Sequence, residues 1–152
     1  MSLQRSFLRN DGGQTIVESA LSLTLLLGML FGAMFGGLML YTYHYLSFVA
    51  RVGNRYAMVR GSACNPSGGM PDCPNVTSDQ VQTYVRGFHY AGIDPNQLTV
   101  TVTWPNQVGT DPGNNPGEPV QVRASYPFTL SVPFVTLRTL TLHSTSQMVI
   151  SQ

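Results

Sequence analysis

Lysine is absent from this chain of 152 residues, and charge of either sign is scarce, with eight arginines against seven acids making up 10% of the sequence. Arg5, Arg9, Arg51, Arg55, Arg60, Arg86, Arg123 and Arg138 are spread along the chain, so no basic stripe exists to follow a phosphate backbone and no nucleic-acid partner is expected. H-E-x-x-H, G-x-S-x-G and P-loop patterns are missing too. Of the three histidines, His44 sits among Tyr41, Tyr43 and Tyr45, which read as an aromatic belt at a membrane interface. His89 and His143 read as ordinary polar surface positions. The expectation is a non-enzymatic protein with no cofactor, no metal and no small-molecule substrate.

Cysteine is nearly absent as well. Cys64 and Cys73 enclose a stretch rich in Pro and Gly, a spacing unlike the C-x-x-C of zinc or redox sites. They read as a small disulfide loop, which implies an oxidising compartment; a reduced cytosolic pair is the alternative.

The largest deficit is positional: no Asp, Glu, Lys or Arg occurs between Glu18 and Arg51. The apolar run from Ile16 to Tyr43 would be about 42 Å long as a helix, enough to cross a hydrocarbon core of about 30 Å. A cleaved secretory signal has a shorter core and a small-x-small site, and no such pair lies between Leu25 and Tyr45. The span is therefore expected to stay in the protein. A chain of this length has room for it and for one small outer domain.

Two features of the span stand out. Glu18 places a carboxylate just inside the apolar run, where an unpaired charge costs at least about 3 kcal/mol, so it needs a partner or a proton unless it sits at headgroup level. Ala20, Thr24, Gly28, Gly32 and Gly36 recur at four-residue spacing and put small residues along one helix face. Such a seam admits a second helix closely, although small-xxx-small patterns also arise by chance and glycine softens a helix locally.

Beyond the span, Leu46, Val49, Ala50, Gly53 and Ala57 fall on one side of a helix expected to reach about Arg60, with Arg51 and Arg55 on another. Either a stem packed on a head domain or a plain amphipathic surface helix would look like this. Thr77-Ser78-Asp79 offers an N-cap for a short helix to about Tyr90, stopped by Gly92 and Pro95. Leu98, Val100, Val102 and Trp104 then alternate with threonines, as a strand with one buried face requires. After a loop from Gln107 to Pro119, a second strand carries Val120, Val122, Ala124 and Tyr126 on one side. A third antiparallel strand carries Leu140, Leu142, Met148 and Ile150 on one parity and Thr141, His143, Thr145 and Gln147 on the other. Asp111, Asn114, Asn115 and Glu118 could offer oxygens to calcium, but their spacing fits no EF-hand and the prolines between them favour rigid turns. The fold expected is α+β, a long N-terminal transmembrane helix followed by a small domain with a three- to four-stranded antiparallel sheet. Its exposed strand edges are sites where other chains can pair.

Gly13-Gln14-Thr15-Ile16-Val17-Glu18 ahead of a long apolar helix resembles the type IV pilin class. There a prepilin peptidase cuts after a glycine and leaves Glu at the fifth mature position, which is where Glu18 falls counting from Gln14. Arg5 and Arg9 look like the short basic leader. Ala50-Arg51-Val52-Gly53-Asn54-Arg55-Tyr56-Ala57 resembles the Ala/Arg/Gly-rich stretch of the TadE-like branch. Val120-Gln121-Val122-Arg123-Ala124-Ser125-Tyr126-Pro127-Phe128, ahead of an apolar segment with Pro133, resembles its alternating strand and Tyr-x-Phe pattern. Ser19 and Thr24 depart from it, standing where an aromatic and a proline are common. The resemblance implies a leader at 1–13, a transmembrane helix at 14–45, a helical stem at 46–62 and a periplasmic head at 63–152. It implies cleavage between Gly13 and Gln14, and pairing of Glu18 with the new N-terminal amine of a neighbouring subunit. The implied function is that of a pseudopilin or minor pilin in assembly of a tight-adherence (Tad/Flp-type) pilus, anchored in a bacterial inner membrane. The implied partners are the lipid bilayer, the prepilin peptidase, other pilin or pseudopilin subunits and inner-membrane pilus assembly proteins. The competing reading is an uncleaved bitopic protein with a periplasmic ligand-binding or hydrolytic domain.

Overall fold

A computed structural model describes residues 11–65, 67, 73, 76–109, 113–129 and 139–151. The basic leader residues Arg5 and Arg9, most of the loop between the cysteines, Asp111 and Pro133 lie outside these residues. The elements run α1 (Asp11–Met58), α2 (Ser78–Arg86), a 3-10 turn (Pro95–Gln97), β1 (Thr99–Thr103), β2 (Pro119–Thr129) and β3 (Thr139–Val149). The chain divides between Leu38 and Met39 into two compact units.

In the first unit, α1 is apolar on all sides and almost wholly exposed, with Ile16, Val17, Leu21, Leu25, Met29, Leu30 and Met34 among its bare side chains. So large an apolar surface is not sustained in water by a monomer. The helix is long and apolar enough to cross a membrane.

In the second unit, α1 changes character and buries Thr42, Tyr45, Leu46, Val49, Ala50, Gly53, Asn54 and Ala57. Those positions follow the i, i+3, i+4, i+7 spacing of a single stripe, while Arg51 and Arg55 stay exposed as their positions predict. The helix stops at Met58, two residues short of Arg60.

The stripe packs on a three-stranded antiparallel sheet of order β1-β2-β3. Val100 faces Ala124 and Val102 faces Val122 across β1 and β2, while Tyr126 faces Leu142 and Val120 faces Met148 across β2 and β3. The alternation expected from sequence holds, since Leu98, Val100, Val120, Val122, Ala124, Tyr126, Leu142 and Ile150 are buried. Leu140 departs from it and is exposed near the start of β3. The middle of the β3 core face carries Ser144 and Ser146 instead of large residues. Ser47 and Ser144 share a hydrogen bond at 3.2 Å, and Asn54 Nδ2 donates to Ser146 Oγ at 3.2 Å. Small side chains on both partners let the helix approach the sheet closely.

Helix α2 begins in a capping box, in which Gln80 N–H donates to Thr77 Oγ1 and Thr77 N–H donates to Gln80 Oε1. It ends at Arg86 with Gly87 as cap, four residues before the end expected at Tyr90. The reason is tertiary. Phe88 and Tyr90 leave the helix to pack on Phe48, each with ring centroids 5.8 Å from it.

Val81 and Val85 of α2 complete the core against α1 at Gly53, where an added Cβ would come within 3.1 Å of Val81 and 3.2 Å of Val122. Both neighbours are β-branched, stiff and buried, so the site has little room to adjust. Gly53→Val should therefore cost the domain about 1–3 kcal/mol through overpacking. Urea unfolding of the detergent-solubilised protein followed by Trp104 fluorescence should show a lower midpoint with an unchanged m-value. Gly28→Val, at a position where a Cβ meets nothing within 4 Å, should leave that midpoint where it is.

Candidate functional site

Gly13 and Gln14 lie at the start of α1, followed within the next turn by Glu18; all three are exposed. Farther along, the row Ala20, Thr24, Gly28, Gly32 and Gly36 follows from the helical repeat. Thr24, its one polar member, donates Oγ1–H to Ala20 O at 2.8 Å, so its hydroxyl is satisfied within the helix and presents mainly its methyl group outward. A Cβ added at Gly28, Gly32 or Gly36 would meet no other atom within 4 Å. Beside this row Phe31 and Phe35 stack with centroids 6.5 Å apart. The first unit thus offers a smooth strip of backbone bordered by large apolar side chains, a surface that another helix can meet through van der Waals contact.

Cys64 and Cys73 form a disulfide with their Cα atoms 5.7 Å apart. The polar loop residues make turn contacts: Asn115 N–H donates to Glu118 Oε2 at 2.8 Å and Ser62 Oγ donates to Asn115 Oδ1 at 2.9 Å. Among the described residues no three His, Cys, Asp or Glu side chains gather in one place. His89 and His143 are exposed. Tyr45 differs from the belt expected around His44, because it is buried in the domain core with its ring 4.9 Å from that of Tyr90.

Three features had no clear signal in the sequence. Arg60 is buried with its guanidinium carbon 3.5 Å above the centre of the Tyr56 ring, and its Nη1 donates to Tyr56 O at 2.9 Å. Tyr56 in turn stacks on Tyr84 of α2 at 4.2 Å, and a groove of about 470 Å³ runs past Arg55, Tyr56, Arg60, Tyr84 and Phe88. Lastly, α2 side chains cover the outer edge of β1. Val102 N–H donates to Ser78 Oγ, Val100 N–H to Gln82 Oε1, and Leu98 O accepts from Gln82 Nε2 and Arg86 Nη2.

A helix long and apolar enough to cross a bilayer, carrying a smooth small-residue row and continuing into a small α+β domain, is consistent with a single-pass membrane anchor. Residues 13–55 match the family model described as TadE-like protein, so this segment of the chain is similar to that family. The match begins at Gly13 and ends inside the Ala50–Ala57 stretch, taking in Glu18 and the whole small-residue row. The Val120–Phe128 strand lies beyond it. No curated protein and no solved structure matches the chain.

Arg60 combines cation–π contact, a charge-assisted bond to a helix-end carbonyl and burial. Its removal should therefore cost about 2 kcal/mol. Arg60→Ala should lower the urea midpoint accordingly. Arg60→Lys should recover only part of the loss, because an ammonium keeps the charge but not the plane that stacks on Tyr56.

Proposed function

We propose that this chain is a membrane-anchored pseudopilin or minor pilin that takes part in assembling a Tad/Flp-type pilus by packing its helix against other subunits. The observation that carries this reading is the TadE-like match over residues 13–55, which joins Gly13-Gln14, Glu18 and the small-residue row in one segment. Residues 1–13 act as a leader that a prepilin peptidase removes. Residues 14–45 cross the inner membrane, 46–62 form the stem, and 63–152 form the head on the periplasmic side. The Cys64–Cys73 disulfide supports that side, since such bonds persist in oxidising compartments.

Cleavage gives Glu18 a physical use. A new α-amino group at Gln14 of one subunit and the Glu18 carboxylate of another are each costly alone near lipid, and together they compensate. The pair favours docking in one register, and the row Ala20, Thr24, Gly28, Gly32, Gly36 lets the two backbones close. The work of the protein is binding, not catalysis.

The leader has an awkward counterpart in Arg51, Arg55 and Arg60, which sit beyond the far end of the span and weigh against the positive-inside tendency. Two of the three are held by backbone carbonyls of α1 itself. Arg60 donates to Tyr56 O in the last turn, where it complements the negative end of the helix dipole, and Arg51 Nε donates to Ser47 O at 3.1 Å farther back in the helix. Their place in the sequence thus has a structural cause apart from topology.

Mass spectrometry of the membrane-extracted protein should find the mature N-terminus at Gln14; a chain still beginning at Met1 or Ser2 would remove the main support. The helix seam is tested separately by combining Gly28→Leu with Gly32→Leu. Co-purification of partner subunits from detergent extracts should fall several-fold while the urea midpoint of the head stays unchanged. Undiminished co-purification would show that the contact uses a different face.

A further inference from the structure

The loop after α2 extends the aromatic belt of the helix. Its residues 87–93, Gly-Phe-His-Tyr-Ala-Gly-Ile, carry no Asp, Glu, Lys or Arg. Within the second unit this loop is held beside the first turns of the unit's helix. Tyr41 Oη donates to Ala91 O at 3.2 Å, and the ring of Tyr90 lies 6.3 Å from that of Tyr41 and 4.9 Å from that of Tyr45. The outer surface left by this packing is uncharged and aromatic-rich: Leu40 is 63% exposed, Tyr41 40%, Tyr43 49% and Tyr90 37%. His44 and His89 are exposed beside them.

We propose that the loop 88–92 lies in the headgroup layer of the bilayer and gives the head a second, non-helical contact with lipid. This rests on the reading of α1 as a membrane span. Counted from Ile16, about 20 residues cross the hydrocarbon core, and about four or five more pass the headgroups, which brings the layer to Tyr41. Ala91 and Tyr90 are tied to that residue, so they sit at the same depth. Tyrosine suits this layer because its ring lies among the upper acyl chains while its hydroxyl stays among polar groups, and histidine is likewise ringed and polar-tipped. The loop touches Tyr41 and is uncharged, which fits a lipid surface better than a charged partner. Ile93 is buried and Phe88 packs on Phe48 and Tyr84, so the loop is anchored from behind and meets the bilayer as a formed surface. A head fixed at two points on the membrane can pivot less about its helix than one held by the helix alone.

The chain's one tryptophan, Trp104, makes the test direct. It follows β1, whose five residues, Thr99–Thr103, span about 17 Å and separate it from the loop. Full-length protein is reconstituted in vesicles of phosphatidylcholine and phosphatidylglycerol, with lipids brominated either near the headgroup or near the chain ends. In a Trp104→Phe background, His89→Trp and Tyr90→Trp report on the loop and Leu25→Trp reports on the span. Shallow bromines should quench the loop reporters about threefold more than they quench Trp104 of the wild type, and deep bromines should quench the Leu25→Trp reporter most. If the span reporter is quenched and both loop reporters behave like Trp104, the loop contact is wrong and the span reading stands. If the span reporter is not quenched, the span reading fails and takes this inference with it. Two loop reporters, one at an exposed position and one in the aromatic cluster, guard against a local packing defect in either.

Discussion

The contact between the C-terminal half of α1 and the sheet is the interaction on which the second unit depends. It works because both sides are small where they cross. Gly53 admits Val81 and Val122 at distances that leave no space for a side chain, and Ser144 and Ser146 take the places of larger residues on β3. Everything else in the core is arranged around that approach. Val49 and Ala50 fill the same stripe one turn earlier, Ala57 fills it one turn later, and Val85 closes it from α2. Burying a stripe of this kind supplies about 25 cal/mol for each Å² of apolar surface removed from water, so closeness of approach translates directly into stability.

One helix therefore carries two different surfaces. From Ile16 to Leu38 it is, Glu18 apart, predominantly apolar on every side, a composition that suits lipid, and from Thr42 onward it is apolar on a single stripe, as packing on a domain requires. The crossover is marked by tyrosines at 41, 43 and 45, and their fates differ. Tyr41 and Tyr43 are exposed while Tyr45 turns into the core beside Leu46 and Val49.

Much of this was legible in the sequence because period and composition carry it. The gap in charge between Glu18 and Arg51 marked the long apolar helix, the stripe through Leu46, Val49, Ala50, Gly53 and Ala57 marked its packed part, and the alternation in Val120–Tyr126 marked the central strand. The N-cap at Thr77 was visible for the same reason, since capping is a local rule. What escaped was decided by distant partners. Helix α2 stops at Arg86 because Phe88 and Tyr90 have aromatic neighbours 40 or more positions earlier, which no local pattern contains. Arg60 was indistinguishable from Arg51 and Arg55 as one more arginine after the span, and only the ring of Tyr56 beneath it makes it a buried structural group. The role of the small-residue row is a different matter. The pattern was readable in the sequence, but a seam acquires meaning from a second helix, and a single chain does not contain one.

The β1 edge of the sheet shows how a small domain can cover an outer strand. β1 is short, and Ser78, Gln82 and Arg86 of α2 bond backbone groups along it and just before it, side chains spaced four apart so that they descend two residues at a time from Val102 N–H to Val100 N–H to Leu98 O. The match is geometric. Four helical residues advance about 6 Å, close to the 6.6 Å or so of two strand residues, so a helix lying along the edge can meet successive outward-facing residues in turn. A strand adding to β1 would have to displace all three side chains and leave their own polar groups to find new partners. β3 spans Thr139–Val149, more than twice the length of β1, and carries no Lys, Asp, Glu or Pro, the residues that usually blunt an edge. Its outward parity is nonetheless polar, with Thr141, His143, Thr145 and Gln147, so its exposed face is compatible with water. The β1 edge, by contrast, is met by side-chain hydrogen bonds from α2, whose extent is set by the capping box at Thr77 and the stop at Gly87.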